Sequence, residues 1–493
     1  MREFYILLRS IFVFKHFVSA LLVTLVLSAI LNLTASIVGG QQTYQPTTES
    51  LSQHKVPDWF NDAKLGIFIH WGVYSVPAWA PLTGELNQVI AERGWEYWFK
   101  YNPYAEWYYN SMKLEGGDTY NYHRATYGED FTYDEFIPTF NTAITKWNPS
   151  QWAKLFSRVG AKYVVLTTKH HDGFLLWPSK TVNKREGVAA RDIVGELTQA
   201  VRKEGMHMGL YYSGGIDWSS QDTTVTDFDT LTKAVIQDPA YAEYANAHWR
   251  ELIDRYQPSI LWNDLGYPVA GNANEIIAYF YNKVPLGVVN DRFDLGGQLG
   301  LHFDFSTPEY AKLKEIDPRK WESTRGLGYS FGYNQNDSDS NMISVDELVD
   351  SFVDIVSKNG NLLLNIGPDA NGEISKPQIE RLLGLGKWLS VNGEAIFGSR
   401  YWIRSEGMTS QGISVRYITN KGNLYAVLLD TPRGKTITIQ ELTAPENATI
   451  TMLGAESELE WQQDGENLVV TLPDISAMEK SPAYTLKISP MPL

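Results

Sequence analysis

Eight short apolar runs, several of them separated by stretches with helical periodicity, are the feature that most constrains the fold of this chain. The strand-like runs are 64–72, 163–168, 208–213, 259–264, 286–291, 303–306, 327–333 and 361–366. The helix-like stretches 192–204, 241–256 and Val345–Ser357 carry apolar residues three or four positions apart. A strand followed by a helix, repeated eight times, predicts an α/β fold, a (β/α)8 TIM-like barrel.

A second, smaller domain is predicted after the barrel. The helix-like stretch 376–391 would close the barrel, and Asn392-Gly393 is a turn signal that should end that helix. We predict a catalytic barrel over 55–397, with 71–162 as a large insertion of helices and loops around its mouth, and an all-β sandwich over 398–493. The β-rich runs that indicate the sandwich are 414–418, 424–429, Thr436–Ile439 and 467–472.

The first forty residues have the layout of a secretory signal. Arg2, Arg9 and Lys15 precede an apolar stretch over 17–33, and small residues follow it up to Gly40. The alternative is an uncleaved N-terminal anchor, because the apolar stretch is close to the lower limit of about 17 residues for a membrane span. Both interpretations predict export. The polar residues 41–54 are predicted to be a mobile leader.

Composition narrows the classes of partner and of chemistry. The formal net charge of -15 disfavours nucleic acid and polyanionic glycans as partners, since both are negatively charged. The chain has no cysteine, which excludes disulfides, a cysteine nucleophile, a lipoprotein anchor and thiolate metal sites. An exported protein without cysteine fits a bacterial periplasm or the extracellular space better than a eukaryotic secretory route.

Two carboxylates at the ends of strand-like runs are the first candidates for chemistry. Asp264 ends the run 259–264 and is followed by a turn at Gly266, and Glu309 follows the run 303–306. A pair of carboxylates on different strands of a barrel suggests glycoside hydrolysis, with a retaining or an inverting outcome set by the distance between them. The alternative for each is a solvated loop carboxylate or an ion-pair partner.

His170 and His171 adjoin a third strand and allow two interpretations. With His70 as a third ligand they could hold a metal ion, although the sequence lacks an HExxH or similar ligand spacing. Without a metal, the same side chains could bind sugar hydroxyls. Among the sixteen tryptophans, most of which are expected in the core, only Trp107 and Trp262 are favoured for a site by their neighbours.

Longer motifs then resemble a known family, the α-L-fucosidases of glycoside hydrolase family 29, over about residues 55 to 400. The motifs stand in the order GIFIHWGVYSVPAW (66–79), AEWYY (105–109), KYVVLTTKHHDGFLLW (162–177), RDIVGEL (191–197), GLYYSGGIDW (209–218), LWNDLGY (261–267), VVNDRF (288–293) and GNLLLNIGPDANG (360–372). The resemblance implies a retaining exo-acting hydrolase of terminal α-L-fucose that needs no cofactor and no metal.

Roles for individual residues also follow from the resemblance. It implies that Asp264 is the nucleophile and Glu309 the acid/base, with Asp304 and Glu322 as the neighbouring carboxylates to test as substitutes for Glu309. It places contacts to fucose hydroxyls, and apolar walls for the C6 methyl, on Phe68, His70, Glu106, Trp107, His170, His171, Tyr211, Trp262, Arg292 and Phe331.

Two rival functions remain at the level of sequence. One is a fucose-binding protein that kept the fold and lost turnover, and the other is an endo-acting hydrolase of sulfated fucans. The predicted partner in every case is a fucosylated glycan, with no nucleic acid and no membrane beyond the signal segment. The linkage, the natural glycan and the oligomeric state are left open, and a homo-oligomer is compatible with the sequence.

Overall fold

The computed structural model describes residues 43–182, 187–297, 299–455 and 457–492, so the predicted signal segment 1–40 lies outside the described residues. Seven parallel strands form one sheet in the order β5-β4-β3-β2-β1-β7-β6. Nearly every residue in them is buried, as parallel strands covered on both faces require. The strands are β1 Leu65–Ile69, β2 Tyr163–Lys169, β3 His207–Ser213, β4 Ile260–Asp264, β5 Val288–Val289, β6 Trp321–Gly326 and β7 Gly360–Ile366.

The eighth position of the ring is a seam made of single β-bridges. Phe305 forms a parallel bridge with Asn290, next to β5, and Ser306 forms one with Trp321 at the start of β6. Residues 305–306 therefore fill the gap between the two edge strands and complete a TIM-like barrel. We call this sector, β5 with residues 305–306, the seam.

One of the eight predicted strands is wrong. The run 327–333 is irregular and consists mostly of bends, and the strand of that sector is β6, which ends at Gly326, directly before this run. The sequence of β6, WESTRG, does not read as apolar, yet Glu322 is fully buried. Tyr163 and Trp262 donate hydrogen bonds to its carboxylate inside the barrel, which satisfies a polar group that would otherwise be costly to bury.

Most of the predicted helices are confirmed, but the eightfold repeat is not complete. Val345–Ser357 has the predicted bounds, and no α-helix lies between β5 and β6 in the described part of that segment. The helices are α1 Thr48–Leu51, α2 Asp58–Ala63, α3 Leu86–Arg93, α4 Trp95–Lys100, α5 Tyr108–Ser111, α6 Asp118–Tyr127, α7 Ile137–Ala143, α8 Pro149–Val159, α9 Ile193–Lys203, α10 Phe228–Lys233, α11 Pro239–Tyr256, α12 Ala273–Lys283, α13 Val345–Ser357 and α14 Lys376–Ile396. Short 3₁₀ turns lie at Val73–Ser75, Ala105–Trp107, Tyr133–Phe136, Ile144–Lys146, Val269–Gly271, Asp291–Phe293 and Ile475–Ala477.

Two predictions near the ends of the barrel domain, one for a helix end and one for the N-terminal leader, are wrong. Helix α14 does not stop at Asn392-Gly393 but continues to Ile396, since Asn392 donates to the carbonyl of Trp388 and the ring of Phe397 lies close to Gly393. The mobile leader does not extend to residue 54. Helix α1 is capped by Thr47, and its Leu51 is fully buried, so this segment is folded against the domain.

The C-terminal region consists of two antiparallel sheets that share one core, which confirms the predicted all-β domain. The five-stranded sheet has the order β12-β15-β10-β9-β8 and the three-stranded sheet the order β11-β14-β13. Their strands are β8 Arg400–Met408, β9 Ser414–Asn420, β10 Asn423–Leu428, β11 Thr436–Ile439, β12 Thr449–Met452, β13 Trp461–Asp464, β14 Asn467–Thr471 and β15 Tyr484–Ser489.

A buried ion pair fixes the loops that follow β2 and β3. Lys169 Nζ lies 2.7 Å from Asp217 Oδ2, and neither side chain has exposed surface. The backbone N–H of Trp218 also donates to the carbonyl of His171, at 2.7 Å. Losing one partner of a buried pair typically costs about 3–5 kcal/mol, so the two loops are held together firmly at the carboxyl ends of their strands. Of the described helices, none is long and apolar enough to span a membrane.

Candidate active site

Asp264 is the last residue of β4 and lies at the carboxyl ends of the barrel strands. The chain turns directly after it, because Leu265 and Gly266 both have positive φ angles, of 52° and 83°. Glycine at 215 lets the neighbouring loop approach, since a Cβ there would lie 1.9 Å from the carbonyl oxygen of Leu265. The side chain of Asp264 is therefore delivered to the rim of the barrel while its residue is only 8% exposed.

Three neighbouring groups hold the carboxylate of Asp264. Tyr211 donates its hydroxyl to Oδ2 at 2.7 Å, and Leu265 N and Arg292 Nη1 donate to Oδ1, each at 3.0 Å. Burial alone would raise the pKa of Asp264. The charge of Arg292, with a smaller contribution from the Tyr211 hydrogen bond, outweighs burial and lowers the pKa below its usual value. Asp264 is thus an ionised carboxylate.

Glu309 shares a guanidinium nitrogen with Asp264. Arg292 Nη1 lies 2.7 Å from Glu309 Oε1 and 3.0 Å from Asp264 Oδ1. The two carboxylate oxygens can be no further apart than the sum of these distances, which is less than the ~6.5 Å at which inverting spacings begin. Tyr104 donates its hydroxyl to the other oxygen of Glu309 at 3.3 Å. The pair therefore has the close spacing of a retaining glycosidase.

Arg292 is itself held from several sides. Its Nε donates to the hydroxyl of Thr307 at 2.9 Å and its Nη2 to the carbonyl of the same residue at 2.8 Å. Its guanidinium carbon lies 4.7 Å from the ring centroid of Trp262. Burial lowers the pKa of Arg292, but the charges of Glu309 and Asp264 raise it more, so the guanidinium stays charged between the two carboxylates.

Two of the three predicted histidines are neutral and have a fixed tautomer. Asn365 donates its amide to the carbonyl of Phe331, so its oxygen must accept from His70 Nδ1, 2.7 Å away. Ser213 donates to the carbonyl of Ile216, so its oxygen must accept from His171 Nδ1, 2.6 Å away. Burial lowers the pKa of His70 to about 3 and that of His171 to about 4. Both rings therefore present an unprotonated Nε2, a hydrogen-bond acceptor.

His170 lies between these two rings. Its ring centroid is 5.6 Å from that of His70 and 4.0 Å from that of His171, and its buried Nδ1 has no hydrogen-bond partner in the part of the chain that the structure describes. Burial lowers its pKa as well. Among the described residues, the three histidines do not form a group whose ligand atoms converge, so the alternative of a metal site at this triad finds no support in their geometry.

An apolar wall lies beside the carboxylates. The ring of Phe68 contacts those of His70, Trp262 and Phe331, with centroids 4.6, 5.1 and 6.5 Å apart. Tyr211 stacks on Trp262, whose indole N–H is taken by Glu322. Trp262 thus offers its ring face rather than its N–H group, and it supports both Arg292 and Tyr211 from the interior of the barrel.

The remaining predicted residues come from the insertion between β1 and β2. Glu106 Oε2 accepts from the backbone N–H of Gly332 at 2.7 Å and from Ser330, and burial raises the pKa of Glu106 to about 7. The ring of Trp107 contacts that of His171 at 5.1 Å. The structure therefore brings all twelve predicted site residues to one end of the barrel.

The two substitute carboxylates lie elsewhere. Glu322 points into the barrel interior, where it is bonded to Tyr163 and Trp262, and burial raises its pKa to about 7. Asp304 is bonded to His54 and Tyr281 at the seam. Neither contacts Arg292 through a hydrogen bond, so Glu309 is the carboxylate that accompanies Asp264.

Sequence reasoning missed four residues that position this site. Tyr104 contacts Glu309, Thr307 holds Arg292, and Asn365 and Ser213 set the tautomers of His70 and His171. A polar residue inside an otherwise apolar strand, as Asn365 is in LLLNIG and Ser213 in GLYYSG, was the available signal. Such a residue must find a partner when it is buried.

Comparisons with known proteins agree with this geometry. The family model described as alpha-L-fucosidase matches residues 32–394, and the model of the alpha-L-fucosidase C-terminal domain matches residues 409–489. Among curated proteins, the rat tissue alpha-L-fucosidase is 33% identical over 461 residues, which cover 90% of this chain and 92% of the relative. The alpha-L-fucosidase of Dictyostelium discoideum is 33% identical over 449 residues, covering 87% and 89%.

Solved structures give the same result. The Thermotoga maritima alpha-fucosidase in complex with a mechanism-based inhibitor has a TM-score of 0.82 and 42% identity, covering 90% of this chain and 99% of that one. The Thermotoga maritima alpha-L-fucosynthase has a TM-score of 0.84 and 43% identity, covering 91% and 100%. From the two family models, the relatives and the shared fold, we conclude that this chain belongs to the alpha-L-fucosidase family.

Proposed function

We propose that the protein is a retaining exo-acting α-L-fucosidase that hydrolyses terminal α-L-fucose by double displacement, with Asp264 as nucleophile and Glu309 as acid/base. The observation that carries the proposal is the single guanidinium nitrogen of Arg292, which lies within hydrogen-bond distance of both carboxylates. That arrangement gives the close spacing at which one carboxylate can attack the sugar while the other reaches the leaving oxygen.

In the first step, Asp264 attacks C1 of fucose and forms an ester, while protonated Glu309 transfers its proton to the oxygen of the leaving group. The ester removes the negative charge of Asp264, so Arg292 then faces one anionic partner, the carboxylate of Glu309. In the second step this carboxylate takes a proton from water, and the water breaks the ester. Arg292 thereby helps to ionise the nucleophile before attack and to steady the base after it.

The pocket suits a 6-deoxy sugar. His70 and His171 offer unprotonated nitrogens that accept hydrogen bonds from sugar hydroxyls. The rings of Phe68 and Phe331 offer an apolar surface for the C6 methyl group of fucose. A sugar with a hydroxyl group at C6 would leave that hydroxyl without a hydrogen-bond partner there. We propose that the natural substrate is a fucosylated oligosaccharide or glycoconjugate, cleaved from its non-reducing end.

Two alternatives are less well supported. A fucose-binding protein without turnover would have no need for an ionised carboxylate beside a second one on the same arginine. An endo-acting hydrolase of sulfated fucans would require a long basic groove, and the net charge of -15 argues against that partner. We further propose that residues 1–40 direct export and that the protein acts in the periplasm or outside the cell.

The first experiment is proton NMR of the purified protein acting on an aryl α-L-fucoside, recorded before free fucose mutarotates. We expect α-fucose as the initial product, because two inversions at C1 restore the starting configuration. Initial β-fucose would mean a single inversion and would remove the covalent role of Asp264. No release of fucose would favour the binding protein or the endo-acting hydrolase, which release of longer products from fucans would distinguish.

Replacing Asp264 by glycine tests the nucleophile. For Asp264→Gly we expect kcat on an activated aryl fucoside to fall by a factor on the order of 10⁴, because no ester can form. Added azide should occupy the vacated space and restore part of the turnover with β-L-fucosyl azide as product, identified by NMR. Near-normal turnover without azide would show that another residue attacks the sugar.

Replacing Glu309 by alanine tests the acid. The kcat/KM of Glu309→Ala should change little for an aryl fucoside with a good leaving group and should fall roughly 10²- to 10⁴-fold for a fucosylated disaccharide, whose poor leaving group needs the proton. Glu315→Ala, an exposed carboxylate in the same loop region, is the matched control and should behave as wild type. Equal losses on both substrates would point to a different acid.

The pH profile of Arg292→Gln tests the role of the shared guanidinium. Asp264 attacks only when ionised, and its lowered pKa keeps it ionised down to low pH. Without the Arg292 charge, burial is opposed less, so the pKa of Asp264 should rise and the acidic limb of kcat/KM should move to higher pH. Arg319→Gln, an exposed arginine, should leave the limb in place. An unmoved limb in Arg292→Gln would contradict this role.

A further inference from the structure

The hydroxyl group of Tyr104 lies beside the carboxylate of Glu309 and contacts one of its two oxygens. Glu309 Oε1 lies 2.7 Å from Arg292 Nη1, whereas Oε2 accepts from the Tyr104 hydroxyl at 3.3 Å. The two oxygens of the acid/base thus have different partners, one a charged guanidinium and the other a neutral hydroxyl. This difference decides which oxygen handles the proton.

The ring of Tyr104 is held between aromatic side chains. Trp98 and Phe331 each meet it at an interplanar angle of 89°, with ring centroids 5.0 and 5.3 Å away. The backbone N–H of Tyr104 donates to Asn102 Oδ1 at 2.8 Å, and the whole residue is buried. This packing fixes the position from which the hydroxyl reaches Glu309.

The proton of the acid form of Glu309 belongs on Oε2. A guanidinium can only donate hydrogen bonds, so Oε1 must accept from Arg292. A proton on Oε1 would weaken that charge-assisted bond. A hydroxyl group can both donate and accept, so the contact with Tyr104 tolerates a proton on Oε2. The leaving oxygen of the substrate must then approach the oxygen of Glu309 that faces Tyr104.

Tyr104 acts in this arrangement as a donor and not as a base. Burial and the charge of Glu309 raise the pKa of Tyr104 well above its usual value, so its hydroxyl keeps its proton throughout. The hydrogen bond from this hydroxyl to Oε2 is weak while Oε2 is protonated. It becomes charge-assisted once the proton has passed to the leaving oxygen. An interaction that strengthens as the reaction proceeds lowers the barrier.

We propose that Tyr104 is a positioning residue for proton transfer by Glu309, which holds Oε2 towards the glycosidic oxygen and stabilises the negative charge that forms when the proton leaves. In the second step the same hydroxyl holds Oε2 while Oε2 takes a proton from water. The water oxygen then bonds to C1 of the fucosyl ester, Asp264 leaves as a carboxylate, and Glu309 returns to its protonated form. This inference rests on the proposed role of Glu309 as acid/base.

Tyr104→Phe keeps the ring and removes the hydroxyl. We expect its kcat/KM to stay within about twofold of wild type for a dinitrophenyl fucoside, whose leaving group needs no proton. For a fucosylated disaccharide, kcat/KM should fall roughly 10- to 10²-fold, the loss typical of one hydrogen bond to a charged group. The second step needs the base with either substrate, so the dinitrophenyl fucoside should show a burst of dinitrophenol as the fucosyl-enzyme accumulates. Tyr101→Phe, a half-buried tyrosine that packs on Tyr97, is the matched control and should behave as wild type.

A double variant separates positioning from a purely structural role. In a Glu309→Ala background, Tyr104→Phe should cause little further loss, because its hydroxyl acts through the missing carboxylate. A full further loss there, or equal losses by Tyr104→Phe on both substrates, would overturn the inference, since Tyr104 would then only support the fucose pocket through Phe331. Wild-type rates of Tyr104→Phe on the disaccharide would also overturn it. Failure of the wild-type protein to release fucose would instead overturn the proposed function itself.

Discussion

The shared guanidinium of Arg292 is the interaction on which the active site depends. Asp264 is buried and Glu309 is partly buried, so the two carboxylates repel each other and lose part of their hydration, and a cation between them offsets both costs. Arg292 supplies that cation and is fixed by Thr307 and Trp262. Arg292 thus connects the end of β4, the turn after β5 and the residues after the seam.

The two carboxylates stand on parts of the barrel that differ in rigidity. Asp264 ends β4, which pairs with β3 along its whole length. Glu309 follows the seam and pairs with Thr324 through a single bridge. A nucleophile must meet C1 in one geometry, and a fixed strand provides it. An acid/base must serve a leaving oxygen in the first step and a water in the second, and a residue beyond the last strand pair can adjust between them.

The sequence predicted strands and helices correctly where their buried residues are apolar. The apolar strands β1, β2, β4 and β7 and the helix Val345–Ser357 were predicted close to their bounds, and Asp264 stood out because a carboxylate followed an apolar run. Strand β6 was missed because its inward-facing Glu322 is satisfied by residues distant in the chain, Tyr163 and Trp262. The partners of His70 and His171 were missed for the same reason, since Asn365 and Ser213 act through contacts that only the closed ring creates.

The charge of the pocket, rather than that of the whole chain, matches the chemistry. Burial keeps His70, His170 and His171 neutral, so they add no positive charge beside the carboxylates. During attack Glu309 is protonated, so the negative charge of Asp264 is balanced by the positive charge of Arg292 and the pocket carries no net positive charge. The transition state of glycoside cleavage resembles an oxocarbenium ion, which is positive, and preoriented negative charge stabilises it more than the neutral ground state. Protonated histidines would add positive charge beside the carboxylates and so weaken the stabilisation of this transition state. Burial therefore has two effects on these histidines. It leaves them able to accept hydrogen bonds from sugar hydroxyl groups, and it keeps their positive charge away from the carboxylates that stabilise the transition state.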